Sequence, residues 1–144
     1  MILKIDSSAE KAINMLQNNG FKAYAVGGCI RDIIMEKKPH DYDICTSAKP
    51  IQIEKIFEEY KVIETGISHG TVTVIIDNKP LEITTFRVDG DYSDNRHPEK
   101  VEFVTDIKDD LSRRDFTINS MAYCEKDGLK DFFGGTEDIE KKLI

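Results

Sequence analysis

The chain has 144 residues, 27 of them acidic and 20 basic, for a formal charge of -7. That length suits one domain around a single core, and the acidic balance argues against a protein that holds nucleic acid by diffuse charge alone, because such binding rests on Lys and Arg neutralising phosphates. The 3 cysteines, Cys29, Cys45 and Cys124, lie far apart with no C-x-x-C pair, which speaks against a disulfide scaffold or a zinc knuckle and for a reduced, cytoplasmic setting.

The first residues meet charge at Lys4, and no apolar run approaches the ~20 residues of a membrane span, so a soluble, untargeted protein is expected. Ser7 and Glu10 have the spacing of a capping box, Ala9, Ala12, Ile13 and Leu16 recur at helical spacing, and Gly20 stands where a helix stops, which predicts an amphipathic first helix. Residues 21–26 are a short apolar run suited to a buried strand, broken by Gly27 and Gly28 before a second helix over about 30–35. A short strand is expected at 42–45, and a helix from Pro50 with Ile53, Ile56, Phe57 and Tyr60 on one face. Residues 61–64 read as a strand. The β-branched runs 71–76 and 81–86 flank Asp77-Asn-Lys-Pro80 and predict a hairpin.

From 88 to 100 the composition turns polar and reads as a loop near a site. A short edge strand is expected at 101–104, a helix or broken helix over 106–121, and short strands and turns over 122–133, with Gly134 and Gly135 before a charged end. Helices mixed with strands that include a hairpin indicate an α/β or α+β fold, a sheet covered by helices on one side.

Asp41-Tyr42-Asp43 is the sharpest chemical signal. On a strand, residues two apart share a face, so the two carboxylates converge while Tyr42 points away. Magnesium suits such a pair, since it takes hard oxygen ligands and completes its shell with water and substrate phosphates. Solvated aspartates near turns produce the same pattern, and its context decides. Gly27 and Gly28 let a ligand approach the backbone, and Arg31 can hold a phosphate bidentately; the same residues also fit a tight turn and a surface arginine. Glu82, on the face opposite Leu81 and Ile83, can bring a third carboxylate to a two-metal site, or stand as an exposed glutamate on a half-buried sheet. Arg113, Arg114 and Asp115, with Asn119 one turn later, suit phosphate and ribose contacts, or a salt-bridged helix start. His40, His69 and His97 have no spaced partners, His69 before Gly70 reads as a turn residue, and the cysteines read as packing residues.

Taken in order, Val26-Gly-Gly-Cys-Ile-Arg-Asp32, His40-Asp-Tyr-Asp-Ile-Cys-Thr-Ser47, Leu81-Glu-Ile-Thr-Thr-Phe-Arg87 and Leu111-Ser-Arg-Arg-Asp-Phe-Thr-Ile-Asn-Ser-Met-Ala122 resemble the class II tRNA nucleotidyltransferase (CCA-adding enzyme) and bacterial poly(A) polymerase family over nearly the whole chain. The resemblance implies the DNA polymerase β-like nucleotidyltransferase fold and a magnesium-dependent enzyme that adds CMP and AMP, from CTP and ATP, to tRNA 3′ ends, or AMP tails to RNA. It implies metal binding by Asp41 and Asp43, nucleotide contacts by the turn at Gly27 and Gly28, by Arg31 and by Arg114, and a share in ribose or phosphate contact for Asp115 and Asn119. The polar stretch 89–97 corresponds to a loop linked in the family to the choice between C and A. Residues 1–144 correspond to the catalytic head alone. The neck with its Glu-Asp-x-x-Arg base-reading motif, the body and the tail are absent, and the RNA grip is expected in those regions. A nucleotide-binding module that does not turn over by itself is the alternative expectation.

Overall fold

The computed structural model describes residues 3–89, 101–114 and 116–141. Helix α1 (Ser7–Asn18) buries Ala9, Ala12, Ile13 and Leu16, the stripe that their spacing predicts. Its cap is Asp6 rather than Ser7, the Asp6 carboxylate accepting from the Ser8 backbone N–H at 3.2 Å. Three cap-forming residues stand in a row here, and Asp6 satisfies the helix end one residue earlier. Strand β1 (Ala23–Val26) is buried throughout. Helix α2 (Gly28–Ile34) starts at Gly28, two residues before the predicted start, because Gly27 adopts φ 75° and ψ -136° and turns the chain at once, a conformation open mainly to glycine.

Strand β2 (Tyr42–Thr46) and helix α3 (Pro50–Ile56) follow. Phe57 caps α3 and is fully buried, with Tyr60 packed edge-on against it at 6.1 Å beyond the helix end. Strands β3 (Lys61–Gly66), β4 (Thr71–Ile76) and β5 (Lys79–Thr85) form a meander. The β4–β5 turn is tighter than the predicted four residues. Asp77 and Asn78 alone make it, with φ 52° and 65°, the paired positive dihedrals of the two-residue turns that match strand twist. Lys79 and Pro80 therefore already belong to β5, opposite Ile76 and Ile75.

Strand β6 (Arg87–Asp89) pairs with β7 (Val101–Phe103) in a separate two-stranded sheet. Residues 88 and 89, read as the start of a loop, are thus strand residues. Helix α4 (Ile107–Ser112) is capped by Asp106, and a 3-10 turn spans Thr117–Asn119, so the broken-helix reading of this stretch is the one observed. Strands β8 (Ala122–Cys124) and β9 (Gly128–Lys130) precede α5 (Gly135–Glu140), a helix where only a charged end was expected. Asp131 fixes its start, accepting from the N–H groups of Gly135 at 2.7 Å and Thr136 at 2.9 Å.

Among the described residues the main sheet has seven strands, in the order β3-β4-β5-β2-β1-β8-β9. Strands β2 and β5 run parallel and every other neighbouring pair antiparallel, so the expected mixed sheet is present. Its two faces differ in composition. Val72, Ile83, Ile44 and Ala25 stand side by side and are each fully buried, as is Leu16 of α1. The adjoining row, Thr73, Glu82, Asp43 and Val26, points the other way and carries the two acids. Burying the apolar row under α1, α2 and α3 leaves the Asp43 and Glu82 carboxylates of the other row accessible.

Gly135 joins α5 to the 117–119 turn without room for a side chain. A Cβ there would lie 2.4 Å from the Thr117 carbonyl oxygen and 2.9 Å from the Met121 sulfur. Gly135→Ala is expected to cost about 1–3 kcal/mol, the usual range for overpacking, seen as a lower urea midpoint at unchanged m value. No helix among the described residues is long and apolar enough to cross a membrane.

Candidate active site

The parallel pairing of β2 with β5 sets Asp43 directly opposite Glu82, and the antiparallel pairing of β2 with β1 sets Asp43 opposite Val26, the last residue before the glycine turn. Three segments of the sequence thus meet at one sheet position. The Glu82 carboxylate is close enough for its charge to act on Asp43. The Asp43 carboxyl is pushed up to about 6, first by loss of hydration, then by the charge and close polar approach of Glu82; Arg114 opposes the shift and Asp41 adds to it. Asp41, one residue before β2, is exposed and close enough for its charge to act on Asp43. Both residues of the D-x-D pair and Glu82 therefore belong to one electrostatic unit.

The glycine turn is lined by two guanidinium groups. A Cβ on Gly27 would lie 3.6 Å from Arg114 Nη1, and one on Gly28 would lie 3.3 Å from Arg31 Nη2. Arg31 is held from two sides: Nη1 donates to Asn119 Oδ1 at 3.0 Å, and Nε donates to Asp32 Oδ1 at 3.1 Å. The Gly27 N–H donates to the Met121 carbonyl at 3.2 Å, which fastens the turn to the segment carrying Asn119. Arg114 Nη2 donates to Cys45 Sγ at 3.2 Å and to Asp110 Oδ1 at 3.3 Å. Gly27, Gly28, Arg31, Arg114 and Asn119 are therefore brought together beside the acids. Asp115 lies outside the described residues, as does the polar stretch beyond Asp89.

Asp110 is the residue that the motif reading missed. It is fully buried, and one of its oxygens accepts from the Arg87 backbone N–H at 2.9 Å while Arg114 and the Cys45 thiol approach the other. Arg113 Nε lies 3.7 Å from it. A signal for it exists in the sequence, because Asp110 precedes Arg113 and Arg114 by three and four residues, the spacings that meet on a helix.

His97 lies outside the described residues, and the cysteines stay outside the chemistry. His69 ends the 3-10 turn Ile67–His69 ahead of Gly70 at φ 84°, a turn residue as expected. All three cysteines are buried and free. Burial pushes the Cys29 thiol up to about 11, and burial together with the charge of Asp110 pushes the Cys45 thiol up to about 12, so neither ionises near neutrality.

Acids on adjacent strands of a mixed sheet, a glycine turn beside them, and two fixed guanidiniums, one on α2 and one just after α4, form a site with a recognisable kinship. A family profile described as Poly A polymerase head domain matches residues 23–144. The chain belongs to that family. The head domain is 46% identical over 136 residues to the CCA-adding enzyme of Oceanobacillus iheyensis, a match covering 94% of this chain and 34% of that protein. The crystal structure of the Bacillus stearothermophilus CCA-adding enzyme in complex with CTP resembles it with a TM-score of 0.81 at 40% identity, over 92% of this chain and 31% of that one. A tRNA nucleotidyltransferase complexed with a primer tRNA and an incoming ATP analog gives a TM-score of 0.67 at 30% identity, over 91% of this chain and 37% of that one. The head domain spans about a third of the length of the curated relatives that it matches. Its fold is the DNA polymerase β-like nucleotidyltransferase fold that the resemblance implied.

Whether these residues fit magnesium is a question of donor set and charge. Among the described residues no three His, Cys, Asp or Glu side chains converge into a closed metal cage. Magnesium does not require one, since one or two carboxylates plus substrate phosphates and water complete its shell. The Asp43–Glu82 pair, directly opposite in register and burdened by the charge of Asp41, is the kind of repulsive cluster that a divalent ion relieves. The donor set fits.

Proposed function

We propose that this chain is the catalytic head of a CCA-adding type of nucleotidyltransferase, which moves CMP or AMP from CTP or ATP to an RNA 3′ hydroxyl, with tRNA CCA addition or repair as the principal reaction. The observation that carries this reading is the register of Asp43 opposite both Glu82 and the residue before the glycine turn, so that metal-binding oxygens and phosphate-binding cations adjoin. The CTP in one structural relative and the primer tRNA and ATP analog in another support the substrates.

In this reading Asp41 and Asp43 hold magnesium, with Glu82 assisting. Bound there, the ion neutralises phosphate charge and favours the ionised form of the attacking hydroxyl. Gly27 and Gly28 admit the triphosphate close to the backbone, while Arg31 and Arg114 bind its oxygens. Asn119 aims Arg31, and Asp115 shares in the ribose or phosphate contacts. The RNA 3′ oxygen bonds to the α-phosphorus as the bond to the bridging oxygen breaks, and pyrophosphate leaves with its charge met by the two arginines. Rate enhancement comes from positioning and charge neutralisation, with no covalent enzyme intermediate.

In this reading residues 1–144 are the head, and the acidic balance of the chain, -7, supports a tRNA grip carried mostly by the regions that its relatives have beyond the matched third. A reduced, cytoplasmic setting accords with three free, buried cysteines. The test is incorporation of radiolabelled CTP or ATP into tRNA lacking its 3′ end, by the chain together with neck, body and tail regions of a relative. Magnesium-dependent incorporation that Asp41→Ala abolishes is the expected result; full activity in Asp41→Ala, or none in the unaltered mixture, rejects the assignment. A second reading, nucleotide binding without turnover by these residues alone, is favoured by the one-third coverage of the relatives. It predicts magnesium-dependent CTP or ATP binding in a calorimeter and no pyrophosphate release even when those regions are supplied.

A further inference from the structure

Arg31 is held beside the glycine turn by Asn119 Oδ1, which accepts from its Nη1 at 3.0 Å, and by its chain neighbour Asp32. Its aim is therefore no firmer than the backbone that carries Asn119. That backbone is a single 3-10 turn, Thr117–Asn119, closed by the N–H groups of Asn119 and Ser120, which donate to the carbonyls of Phe116 and Thr117 at 3.1 Å each. Such turns have poor hydrogen-bond geometry and little stability of their own. Thr117 and Ile118 are β-branched and disfavour helical backbone, and Phe116 enters the turn at φ 62° and ψ 129°, a conformation that bulky side chains rarely adopt. A backbone of this kind persists only where contacts from outside hold it.

Helix α5 supplies those contacts. Asp131 fixes where the helix begins, and from that start Gly135, Asp138 and Ile139 share a face by their spacing of three and four. Gly135 is buried and lies too close to the Thr117 carbonyl and the Met121 sulfur to carry a side chain, while Ile139 packs on the core. Asp138 Oδ2 accepts a hydrogen bond from the Thr117 hydroxyl, and among the described residues Asp138 forms no ion pair. Just past the turn, the Met121 sulfur accepts from Thr136 Oγ1 at 3.7 Å, and the Met121 carbonyl accepts from the Gly27 N–H at 3.2 Å. Residues 117–121 are thus gripped by α5 on one side and hold Arg31 and the glycine turn on the other.

We propose that Asp138 is a positioning residue for the triphosphate site, acting through Thr117 and Asn119 on Arg31 and touching no substrate itself. The proposal rests on the nucleotidyltransferase reading and adds to it a residue on a helix outside the four sequence motifs.

The test is magnesium-dependent CTP binding by the 144-residue chain in a calorimeter, with the Arg31 Nε–H resonance followed by NMR on isotopically labelled chain without nucleotide. Asp138→Ala and Thr117→Val are each expected to weaken CTP binding about tenfold, the scale of one hydrogen bond to a charged group, and to move the Arg31 resonance toward that of a solvated arginine with faster exchange. Asp138→Asn and Thr117→Ser, which keep the acceptor and the donor, stay within about twofold of the unaltered chain. Added to Arg31→Ala, Asp138→Ala brings no further loss, because residues that act through one another are not additive. A lower urea midpoint in Asp138→Ala with CTP affinity and the Arg31 resonance unchanged makes Asp138 a residue of the fold alone and overturns the proposal. So does an equal loss of affinity in the Arg31→Ala background. Should Asp138→Ala fail to fold, Thr117→Val, which keeps the side-chain volume, decides by the same criteria. Failure of the unaltered chain to bind CTP counts against the nucleotidyltransferase reading instead, and the Arg31 resonance in the variants then decides the positioning.

Discussion

Asp43→Asn is expected to lower nucleotide transfer by about 10³-fold or more, the scale set by removing a group that meets charge in the transition state, and at the same time to stabilise the metal-free chain. The second half follows from the sign of the shift. The carboxyl rises from its ordinary 3.8 to about 6 in the fold, so the folded state binds this proton more tightly than the unfolded one. Stability contributed by the protonated form is therefore present at low pH and is lost as pH climbs from about 4 through about 6. Above that window the unaltered chain carries an unfavourable charge that Asn lacks. Asp43 is exposed at the sheet surface and solvent screens much of the repulsion, so the expected gain at pH 7.5 in EDTA is about 1 kcal/mol rather than the full value of the shift. In a chain of this size that raises Tm by about 3 °C. At pH 3.5 the gain vanishes, and with millimolar magnesium the unaltered chain recovers the difference while the variant does not. Equal Tm values for the two proteins at pH 7.5 in EDTA would show that the acids do not repel one another.

Asp110→Ala is the change expected to harm the fold most. The carboxylate is fully buried and faces Arg114 at 3.3 Å, Arg113 at 3.7 Å and the Arg87 backbone N–H at 2.9 Å. Removing one partner from a buried ion pair leaves the other charge uncompensated, at a cost of about 3–5 kcal/mol. Asp110→Asn keeps an oxygen for the Arg87 N–H and loses less. Both variants free Arg114 from its anchor, so CTP affinity is expected to fall about tenfold in Asp110→Asn, the worth of one charge-assisted hydrogen bond. Urea titration measures the first effect and calorimetry with CTP the second. If Asp110→Asn kept full CTP affinity, Arg114 would owe its position to the glycine turn and Cys45 alone.

The strands and helices that could be read from the chain are those whose signal is local. Ala9, Ala12, Ile13 and Leu16 declare α1 by spacing, and the β-branched runs declare β4 and β5. Elements that depend on distant partners were not legible. Strand β6 exists through its pairing with β7, so Val88 and Asp89, at the head of a polar stretch, read as loop. Helix α5 has one apolar residue in its length, Ile139, and owes its start to Asp131, which lies outside it. Of the site, the glycine turn, Arg31 and the D-x-D pair stood out because each is a short pattern with its own chemistry. Asp110 did not, since a carboxylate in a charged helix is ordinary until burial removes every alternative partner.

Alone, the amino-acid order determined which groups are available to the site and which local shapes carry them, because rotamers, turn dihedrals and side-chain periodicity act over a few residues. Only the tertiary structure decided that Asp43, Glu82 and Val26 share one level of the sheet. That depends on the registers of β1 and β5 against β2. Side chains alternate along a strand, so a slip of one residue between β2 and β5 would carry Glu82 to the apolar face and Ile83 toward water. Burial of Ile83 and Ile44 under the helices is what holds the acids opposite one another.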